Sequence, residues 1–324
     1  MTSRRFRRLR LTETTRLLVR ETQLSPHDLI QPFFVMEGKD KARLIPSMPG
    51  IEALSIDRLL GEIESYMQMG GRAGLFFGIP QKKDLSGHHA IDEKAIIPSA
   101  IRAIKKNFPE FLVISDVCLC AYLKHGHCGV LNGHIIDNDA TLPLLSQMAT
   151  AHAKAGADFV APSDMMDFRI SHIRQAMDKK GLSDTGIISY AVKYASSFYG
   201  PFRDAVDSAP EFGDRKSYQM DYANIKEAVK EAQQDVFEGA DIVMVKPALA
   251  YLDAIAKINE SVNVPVAAYH VSGEYSMIKA ASQKMWIDEK RVVIESLTSI
   301  KRAGAKIIFT YYAKEALPWI IANQ

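Results

Sequence analysis

The sequence predicts a (β/α)8 TIM barrel, an α/β fold, from three observations. The chain has 324 residues, and a barrel of this class commonly occupies about 250 residues or more as one domain. Eight short β-rich stretches recur along it, with helical spacing in most of the intervals. Three of the stretches, AGADFVAPSD, EGADIVMVKP and AGAKIIFTYY, are entered through the same small-Gly-Ala turn, which is typical of a repeated β/α unit.

The predicted elements follow one another regularly from residue 29 onward. The strands are expected at 29–36, 73–78, 111–119, 158–163, 186–192, 241–246, 264–270 and 306–312. The helices are expected at 51–69, 142–155, 168–180, 225–238 and 287–303. A doubly wound open sheet is the alternative, because strand count alone does not close a barrel. No G-x-G-x-x-G motif follows an early strand, which weakens the dinucleotide-binding form of that alternative.

The composition excludes several classes of protein. Apolar residues make up 47% of the chain and charged residues 24%, which are ordinary values for a globular domain and not those of a disordered, collagen-like or coiled-coil chain. No apolar run reaches roughly 18 residues, so we expect no membrane span. Three cysteines are too few for a disulfide framework and are better interpreted as free thiols or metal ligands in a reducing cytoplasm.

The amino terminus is basic. Residues 1–10 contain five arginines and no acidic residue, whereas the rest of the chain is slightly acidic. A transit peptide or a nucleic-acid-binding arm is an alternative, but no basic stripe with interleaved aromatic residues follows, so we expect no nucleic-acid partner. Our interpretation is an amino-terminal arm at residues 1–28 that contacts a neighbouring subunit, followed by a catalytic barrel at residues 29–324.

All three cysteines lie in one segment, SDVCLCAYLKHGHCG, at the end of the third predicted strand. Alternation along a strand places Cys118 and Cys120 on one side together with Asp116, and the turn at 126–129 can bring Cys128 back to them. Three thiolates around one ion leave a fourth tetrahedral position open, as a catalytic zinc requires. The alternative is that these cysteines are simply small buried apolar residues. Two histidines of the segment are further candidate ligands, although such residues more often support a site from its loop: His125 and His127.

Two lysines end predicted strands. Lys246 closes the apolar run DIVMVK before Pro247, and Lys193 follows the fifth strand in IISYAVK. Because active sites of barrels lie at the carboxyl ends of the strands, both ammonium groups are expected at the mouth. A free lysine has a pKa of about 10.4, but burial or a neighbouring cation lowers the pKa and yields the neutral amine that attacks ketones. Lys246 alone is equally well explained as a snorkelling or salt-bridged lysine, and the second lysine at the adjacent strand end favours function.

A long segment follows Lys193 and carries several groups suited to carboxylates. It runs over residues 195–224, is rich in Gly, Pro and aromatic residues, and contains Arg203, Arg215 and Gln219. A segment of this length in a compact domain is commonly a lid, and guanidinium groups bind both oxygens of a carboxylate. Ordinary solvated loop charges are the alternative. A second carboxylate site is predicted just beyond two other strand ends, at Ser272 and Tyr311.

With these residues in view, the sequence resembles the porphobilinogen synthase family, also called 5-aminolevulinate dehydratase. The resemblance runs nearly end to end, and the most specific segments are SDVCLCAYLKHGHCG, SYAVKYASSFYGPFRDA and DIVMVKPALAYLD. The start of the chain also matches, which argues against a transit peptide. The resemblance implies an enzyme of tetrapyrrole (heme) biosynthesis that condenses two molecules of 5-aminolevulinate, with loss of two waters, into porphobilinogen.

The resemblance also implies roles for the residues singled out above. Lys246 would form a Schiff base with the first substrate, and Lys193 would do the same or act as acid and base for the second. The first carboxylate would be held by Ser272 and Tyr311. The second carboxylate would be held by three residues of the long segment, Arg203, Arg215 and Gln219. A catalytic Zn2+ would be held by the three cysteines, Cys118, Cys120 and Cys128.

Three further expectations come from the same resemblance. Glu231 matches the ligand of an allosteric Mg2+. Ser217 stands where some members have a cysteine that binds a second zinc, so this chain lacks that ligand of the second site. Members form homo-octamers through their amino-terminal arms, and we expect the same here.

Two other functions compete with this hypothesis. A class I Schiff-base aldolase on a barrel needs one lysine and no metal, so it leaves Lys193 and the cysteines unexplained. A zinc- or redox-sensing protein uses the thiols but leaves the lysines and arginines unexplained.

Overall fold

Eight parallel strands form a closed barrel in the structure, a computed structural model that describes residues 4–322. The strands, in chain order, are β1 (Leu29–Met36), β2 (Ala42–Leu44), β3 (Glu52–Leu54), β4 (Ala73–Ile79), β5 (Leu112–Val117), β6 (Leu131–Asn132), β7 (Ile135–Ile136), β8 (Phe159–Pro162), β9 (Gly186–Lys193), β10 (Ile242–Lys246), β11 (Val266–His270) and β12 (Ile307–Thr310). The barrel runs β1-β4-β5-β8-β9-β10-β11-β12. It closes where Leu29 and Ile30 of β1 pair with Ile308 and Phe309 of β12.

Helices surround the barrel. They are α1 (Glu13–Leu18), α2 (Ile56–Gln68), α3 (Ile96–Asn107), α4 (Asn138–Lys154), α5 (Arg169–Asp178), α6 (Gly200–Val206), α7 (Lys226–Phe237), α8 (Leu252–Ser261), α9 (Ser272–Gln283), α10 (Glu289–Arg302) and α11 (Ala313–Ile321). The predicted (β/α)8 class is therefore confirmed, and the open-sheet alternative is wrong because β12 pairs with β1.

The strands are readable in the sequence because parallel barrel strands are covered on both faces. Every residue of β10 is buried, including the terminal Lys246, and strands of this kind appear as continuous apolar runs. All eight predicted strands are confirmed, and the first has the predicted bounds, 29–36.

The structure corrects two predicted boundaries and shows one helix that the sequence did not predict. The helix expected at 51–69 begins at Ile56, because residues 52–54 form β3 and pair with β2 in a short antiparallel hairpin. Strand β5 ends at Val117 rather than at 119, so the cysteines lie beyond the strand. The long segment at 195–224 is not without structure, since it contains α6.

A buried ion pair fastens two helices to the strand that ends in Lys193. Arg169 of α5 is 2% exposed, and its Nη2 lies 3.0 Å from an oxygen of Asp235 on α7. The same nitrogen donates to the hydroxyl of Ser189 at 3.1 Å and to the carbonyl of Tyr190 at 3.4 Å, both on β9. These hydrogen bonds offset the cost of removing the charges from water.

Residues 4–20 of the arm bury none of their side chains, whereas the end of the arm contacts the barrel domain through Leu24 and the ion pair of Asp28 with Lys301. Helix α1 buries none of its residues, and the apolar side chains exposed along this region are Phe6, Leu9, Leu11, Leu17 and Leu18. Residues 1–3 of the predicted arm and 323–324 of the predicted barrel domain lie outside the described residues. Within residues 4–322, no helix combines the length and the apolar character that a membrane crossing needs.

Candidate active site

The two strand-end lysines lie side by side at the carboxyl ends of neighbouring barrel strands. Lys193 ends β9, Lys246 ends β10, and the two residues are direct partners in the parallel register. Both are 5% exposed. Their Nζ atoms lie 5.7 Å and 5.0 Å from the centroid of the same ring, Tyr190. The structure therefore brings together the two amines that the sequence predicts.

Aromatic rings surround the amine of Lys246. Its Nζ lies 4.2 Å from the centroid of Tyr269, and two further rings stand at 5.4 Å and 5.3 Å, those of Tyr199 and Phe202. Burial, and next the charge of Lys193, lower the pKa of Lys246 to about 7. A substantial fraction of this amine is consequently neutral at neutral pH and able to act as a nucleophile.

The amine of Lys193 is oriented by the backbone. Its Nζ donates a hydrogen bond to the carbonyl of Ser163, beyond β8. Asp116 of β5 is a further charged group close to both lysines. Burial raises the pKa of Asp116 to about 6, against the hydrogen bond of Ser163 and the charges of Lys193 and Lys246. One oxygen of Asp116 has no hydrogen-bond partner among the described residues, so it is free to interact with a bound substrate.

The three cysteines converge as predicted. The Sγ atoms of Cys118, Cys120 and Cys128 all lie within 4.8 Å of one another, and all three residues are buried. Within residues 4–322 they form the one group of three or more His, Cys, Asp or Glu side chains close enough to hold an ion. Hydrogen bonds with Cys118 and Cys120 lower the pKa of the Cys128 thiol well below its ordinary value. Three soft donors of this kind fit zinc.

The convergence depends on the loop and not on strand alternation. Because β5 ends at Val117, the turns of residues 118–129, here called the cysteine loop, bring the thiols together. Gly126 adopts a φ of +71° in this loop, a conformation that glycine reaches without steric cost. His127 uses both ring nitrogens in hydrogen bonds to the protein. Neither His127 nor His125 belongs to the group of ligand atoms.

Residues 195–224 are here called the lid, and the backbone near both of its ends is hydrogen-bonded close to Lys193. The amide of Met220 donates to the carbonyl of Lys193 at 3.1 Å, and the amide of Ala195 donates to the carbonyl of Met220 at 2.8 Å. The two ends of the lid are therefore joined beside Lys193, as in a compact surface loop. The segment between them contacts Lys246, since the hydroxyl of Tyr199 donates to the carbonyl of Lys246 at 3.1 Å.

The three lid residues predicted to bind a carboxylate are placed with unsatisfied polar atoms. Arg215 is 5% exposed and donates to the carbonyls of Gly126 and Ser208, at 2.8 Å and 2.6 Å. Gln219 is 3% exposed, and neither its amide oxygen nor its amide nitrogen has a partner among the described residues. The Nε atoms of Arg203 and Arg215 are likewise buried and unpartnered there. Burial and the charge of Arg215 lower the pKa of Arg203. Such a cluster of donors suits an anion.

Ser272 and Tyr311 are each linked to a ring that lies near the amine of Lys246. The hydroxyl of Ser272, the first residue of α9, accepts a hydrogen bond from the amide of Phe202 at 3.0 Å. The hydroxyl of Tyr311 lies 3.2 Å from that of Tyr269, whose ring covers the Lys246 amine. Both hydroxyls are therefore linked to groups that contact Lys246.

Glu231 does not join a second group of metal ligands. It lies in a cleft of about 430 Å³ that is also lined by Asp167, Asp221, Glu227 and Ser217. Burial raises the pKa of Glu231 to about 7, against the charge of Arg169. Its carboxylate is not part of any set of three close ligand atoms within the described chain.

The sequence analysis missed several residues of the site. Alternation places Asp116 on the side of the cysteines but indicates no function for it, and no motif points to the rings of Tyr190, Tyr199 and Tyr269. Strand alternation gives no signal for Tyr190, because Tyr190 and Lys193 are three residues apart and alternation would place them on opposite faces. The register of β9 against β10 is irregular between Val243 and Val245, which the sequence does not reveal.

Comparison with known proteins supplies the family context. The family model described as delta-aminolevulinic acid dehydratase matches residues 3–319. The delta-aminolevulinic acid dehydratase of Bacillus subtilis strain 168 is 51% identical over 316 residues, covering 98% of each chain. That of Halalkalibacterium halodurans is 52% identical over 320 residues, covering 99% of this chain and 98% of the relative.

A solved structure is similar over the whole chain. The delta-aminolevulinic acid dehydratase (porphobilinogen synthase) of Toxoplasma gondii, in complex with the reaction product porphobilinogen, is 46% identical and superposes with a TM-score of 0.97. The match covers 100% of this chain and 93% of the other.

Proposed function

The chain belongs to the delta-aminolevulinic acid dehydratase family, and we propose that it is a porphobilinogen synthase, a lyase that condenses two molecules of 5-aminolevulinate into porphobilinogen in heme biosynthesis. The observation that carries this proposal is the register pairing of Lys193 and Lys246, whose amines lie beside the same ring, that of Tyr190. Two ketone substrates require two amines or an amine and an acid-base group, and this pair of lysines supplies both nitrogens.

Lys246 is the proposed nucleophile for the first substrate. Its amine, with a pKa lowered to about 7, attacks the ketone carbon of 5-aminolevulinate, and loss of one water gives a Schiff base. Lys193 serves the second substrate, as a second Schiff-base amine or as the acid and base of its dehydration. Asp116, whose carboxyl has a pKa raised to about 6 by burial, is placed to exchange protons near either amine.

Two sets of groups are proposed to hold the substrate carboxylates. Ser272 and Tyr311 bind the first, beside Lys246. The second is bound by the lid donors described above: Arg203, Arg215 and Gln219. Holding both substrates in one cavity converts an encounter in solution into a reaction between neighbours, which supplies about 7–11 kcal/mol of the barrier reduction.

Cys118, Cys120 and Cys128 are proposed to hold a zinc ion. Three buried thiols within 4.8 Å of one another match the donor set of this metal, and a three-ligand site keeps a position open for substrate or water. When bound, zinc supplies Lewis-acid polarisation of a carbonyl or a water of lowered pKa. We further propose that Glu231 contributes to a Mg2+ site of regulatory function.

The arm is proposed to complete an assembly. Its exposed leucines and Phe6 require a covering surface that its own barrel does not supply, and a neighbouring subunit is the covering that we propose. Residues 1–28 would then form the contacts of a cytoplasmic homo-octamer, with residues 29–324 as the catalytic barrel.

The test of the proposed function is direct. We expect the zinc-loaded protein, incubated with 5-aminolevulinate, to form a pyrrole detectable by a colorimetric reagent. We expect borohydride, added during turnover, to trap an adduct on Lys246 that peptide mass spectrometry locates. Lys246→Ala should form no pyrrole, and Lys257→Ala, which changes an exposed lysine of α8, should retain activity. Folded, metal-loaded protein that yields neither pyrrole nor adduct would disprove the proposal.

A further inference from the structure

The lid is hydrogen-bonded to the cysteine loop at several points. The amide of Glu211 donates to the carbonyl of His125 at 3.1 Å, and Arg215 donates to the carbonyl of Gly126. The ring of His127 packs against that of Phe212, with centroids 4.8 Å apart. The loop that would hold the metal and the lid that would hold a substrate are thus in direct contact.

The backbones of the cysteine loop and the lid are closely packed at Gly126. A Cβ atom at Gly126 would lie 2.5 Å from the carbonyl oxygen of Ala209 and 3.2 Å from that of Ser208. Both are backbone atoms of the lid, so no side-chain rotation would relieve the overlap. The absence of a side chain at Gly126 lets the two backbones approach.

One chain of hydrogen bonds joins the lid to a cysteine. The ring Nε2 of His127 lies 3.1 Å from the carbonyl oxygen of Phe212, and a carbonyl only accepts, so Nε2 carries the proton. In the neutral ring Nδ1 is then an acceptor, and the hydroxyl of Tyr218, 3.1 Å away, donates to it. The oxygen of Tyr218 in turn accepts the amide N–H of Cys128 at 3.4 Å.

Two members of this chain of hydrogen bonds are buried, whereas Phe212 and Tyr218 are half-buried. Cys128 is 0% exposed, and His127 is 4% exposed. A buried donor or acceptor that loses its partner costs more free energy than the hydrogen bond itself contributed. These hydrogen bonds position the hydroxyl of Tyr218 at the contact between the lid and the cysteine loop, and the backbone amide of Cys128 donates to the same hydroxyl.

We propose that Tyr218 is a positioning residue that couples docking of the lid to the metal affinity of the cysteine site. The proposal rests on the proposed function in one respect, that the three cysteines bind zinc. Tyr218 acts through the backbone of Cys128 and not by touching the ion. Because coupling between two sites is reciprocal, zinc stabilises the docked lid to the same extent that the docked lid strengthens zinc binding.

The test compares Tyr218→Phe with the unaltered chain. Phenylalanine keeps the ring and removes only the hydroxyl. Loss of an outer hydrogen-bond partner commonly weakens metal binding by about 10-fold or more, and we expect about 10-fold weaker zinc affinity in competition with a chromophoric chelator. Cobalt bound in place of zinc should show an altered thiolate-to-cobalt absorption band.

Proteolysis reports on the lid. Lys216 is exposed, and trypsin cleavage after it measures how often the lid is undocked. Zinc should slow this cleavage in the unaltered chain and have less effect in Tyr218→Phe. The matched control is Tyr222→Phe, which removes the hydroxyl of an exposed tyrosine in the same segment and should change neither zinc affinity nor cleavage.

A second variant keeps the proposal testable if Tyr218→Phe folds poorly. His127→Phe removes both ring nitrogens from the same chain of hydrogen bonds and should weaken zinc binding similarly. The double variant should bind zinc no more weakly than the worse single variant, because both remove one connected unit. If His127 were instead a ligand and the chain of hydrogen bonds had no effect, His127→Phe would weaken zinc binding and Tyr218→Phe would leave it unchanged, which would overturn the proposal.

The outcomes separate this proposal from the proposed function. Unchanged zinc affinity and unchanged zinc dependence of cleavage in Tyr218→Phe would overturn the coupling, whether or not the unaltered chain makes porphobilinogen. Failure of the unaltered chain to form a pyrrole or an adduct on Lys246 would overturn the function while leaving the zinc measurements interpretable.

Discussion

Lys193 and Lys246 are each the last residue of a barrel strand and lie directly opposite each other in the parallel register of β9 and β10. Neighbouring strands are about 4.8 Å apart, so the two lysine side chains extend side by side from the carboxyl ends of their strands. This relationship lowers the pKa of Lys246, in addition to burial, and it gives the proposed reaction its two nitrogens.

Removing Lys193 should move the reactivity of Lys246 to higher pH. In Lys193→Met the pKa of Lys246 rises, because one of the two causes that lower it, the neighbouring positive charge, is gone. Less of the amine is then neutral at pH 7, and trapping of Lys246 by 5-aminolevulinate and borohydride slows, about 10-fold for each pKa unit. Trapping measured from pH 6 to 10 checks this, with Lys257→Met as control. An unchanged pH dependence would refute the electrostatic coupling.

Removing one thiol should remove the metal while leaving the fold intact. We expect Cys118→Ala to lose most bound zinc, measured by atomic absorption after dialysis, and most pyrrole formation. Its circular dichroism should match that of the unaltered chain, since a buried cysteine packs like a small apolar residue. Lys246→Ala is the matched control, because it should lose turnover and keep its zinc. Full zinc content in Cys118→Ala would show that the cysteines are not the ligands.

Replacing Gln219 should separate stability from substrate binding. Both amide atoms of Gln219 are buried without partners among the described residues, which costs about 1–3 kcal/mol in the free protein. Gln219→Met should therefore raise the free energy of unfolding by about 1 kcal/mol and raise KM for 5-aminolevulinate by about 10-fold. Urea unfolding and steady-state kinetics measure the two effects. Gln283→Met, at an exposed position, should change neither, and an unchanged KM in Gln219→Met would exclude a binding role.

Two glycines in helices should respond in opposite directions to alanine. A Cβ at Gly273 of α9 would lie 2.5 Å from the carbonyl oxygen of Phe198 and 2.8 Å from its Cα, so Gly273→Ala must displace the start of the lid and the neighbouring Ser272. We expect a raised KM and lower thermal stability. Gly61 of α2 has nothing within 4 Å of such an atom, and Gly61→Ala should stabilise by about 0.5–1 kcal/mol. A Gly273→Ala variant with unaltered KM would contradict the tight packing of the lid base.

The barrel strands were predictable because each has a local sequence pattern that indicates a strand. Strands such as β10 are buried on both faces and appear as apolar runs. The hairpin of β2 and β3 was not predicted, because its strands have three residues each and the residues of β2 are all exposed, so no alternation marks it. Helix α6 was missed because its seven residues, beginning Gly-Pro, show little helical periodicity.

The residues of the candidate site were likewise predictable only where the signal is local in the sequence. The order of residues along the chain determined that two lysines end strands, that three cysteines share one segment, and that arginines and a glutamine follow Lys193. Each of these is a property of residue type and local position.

Only the tertiary structure decided which of these groups meet. The pairing of Lys193 with Lys246, the aromatic rings around Lys246, and the contact of Tyr218 with a histidine 91 positions earlier are set by strand register and loop packing. The physical reason is that short local segments encode burial and backbone preference. Distances between side chains far apart in the chain depend on the closure of the barrel and the docking of the lid.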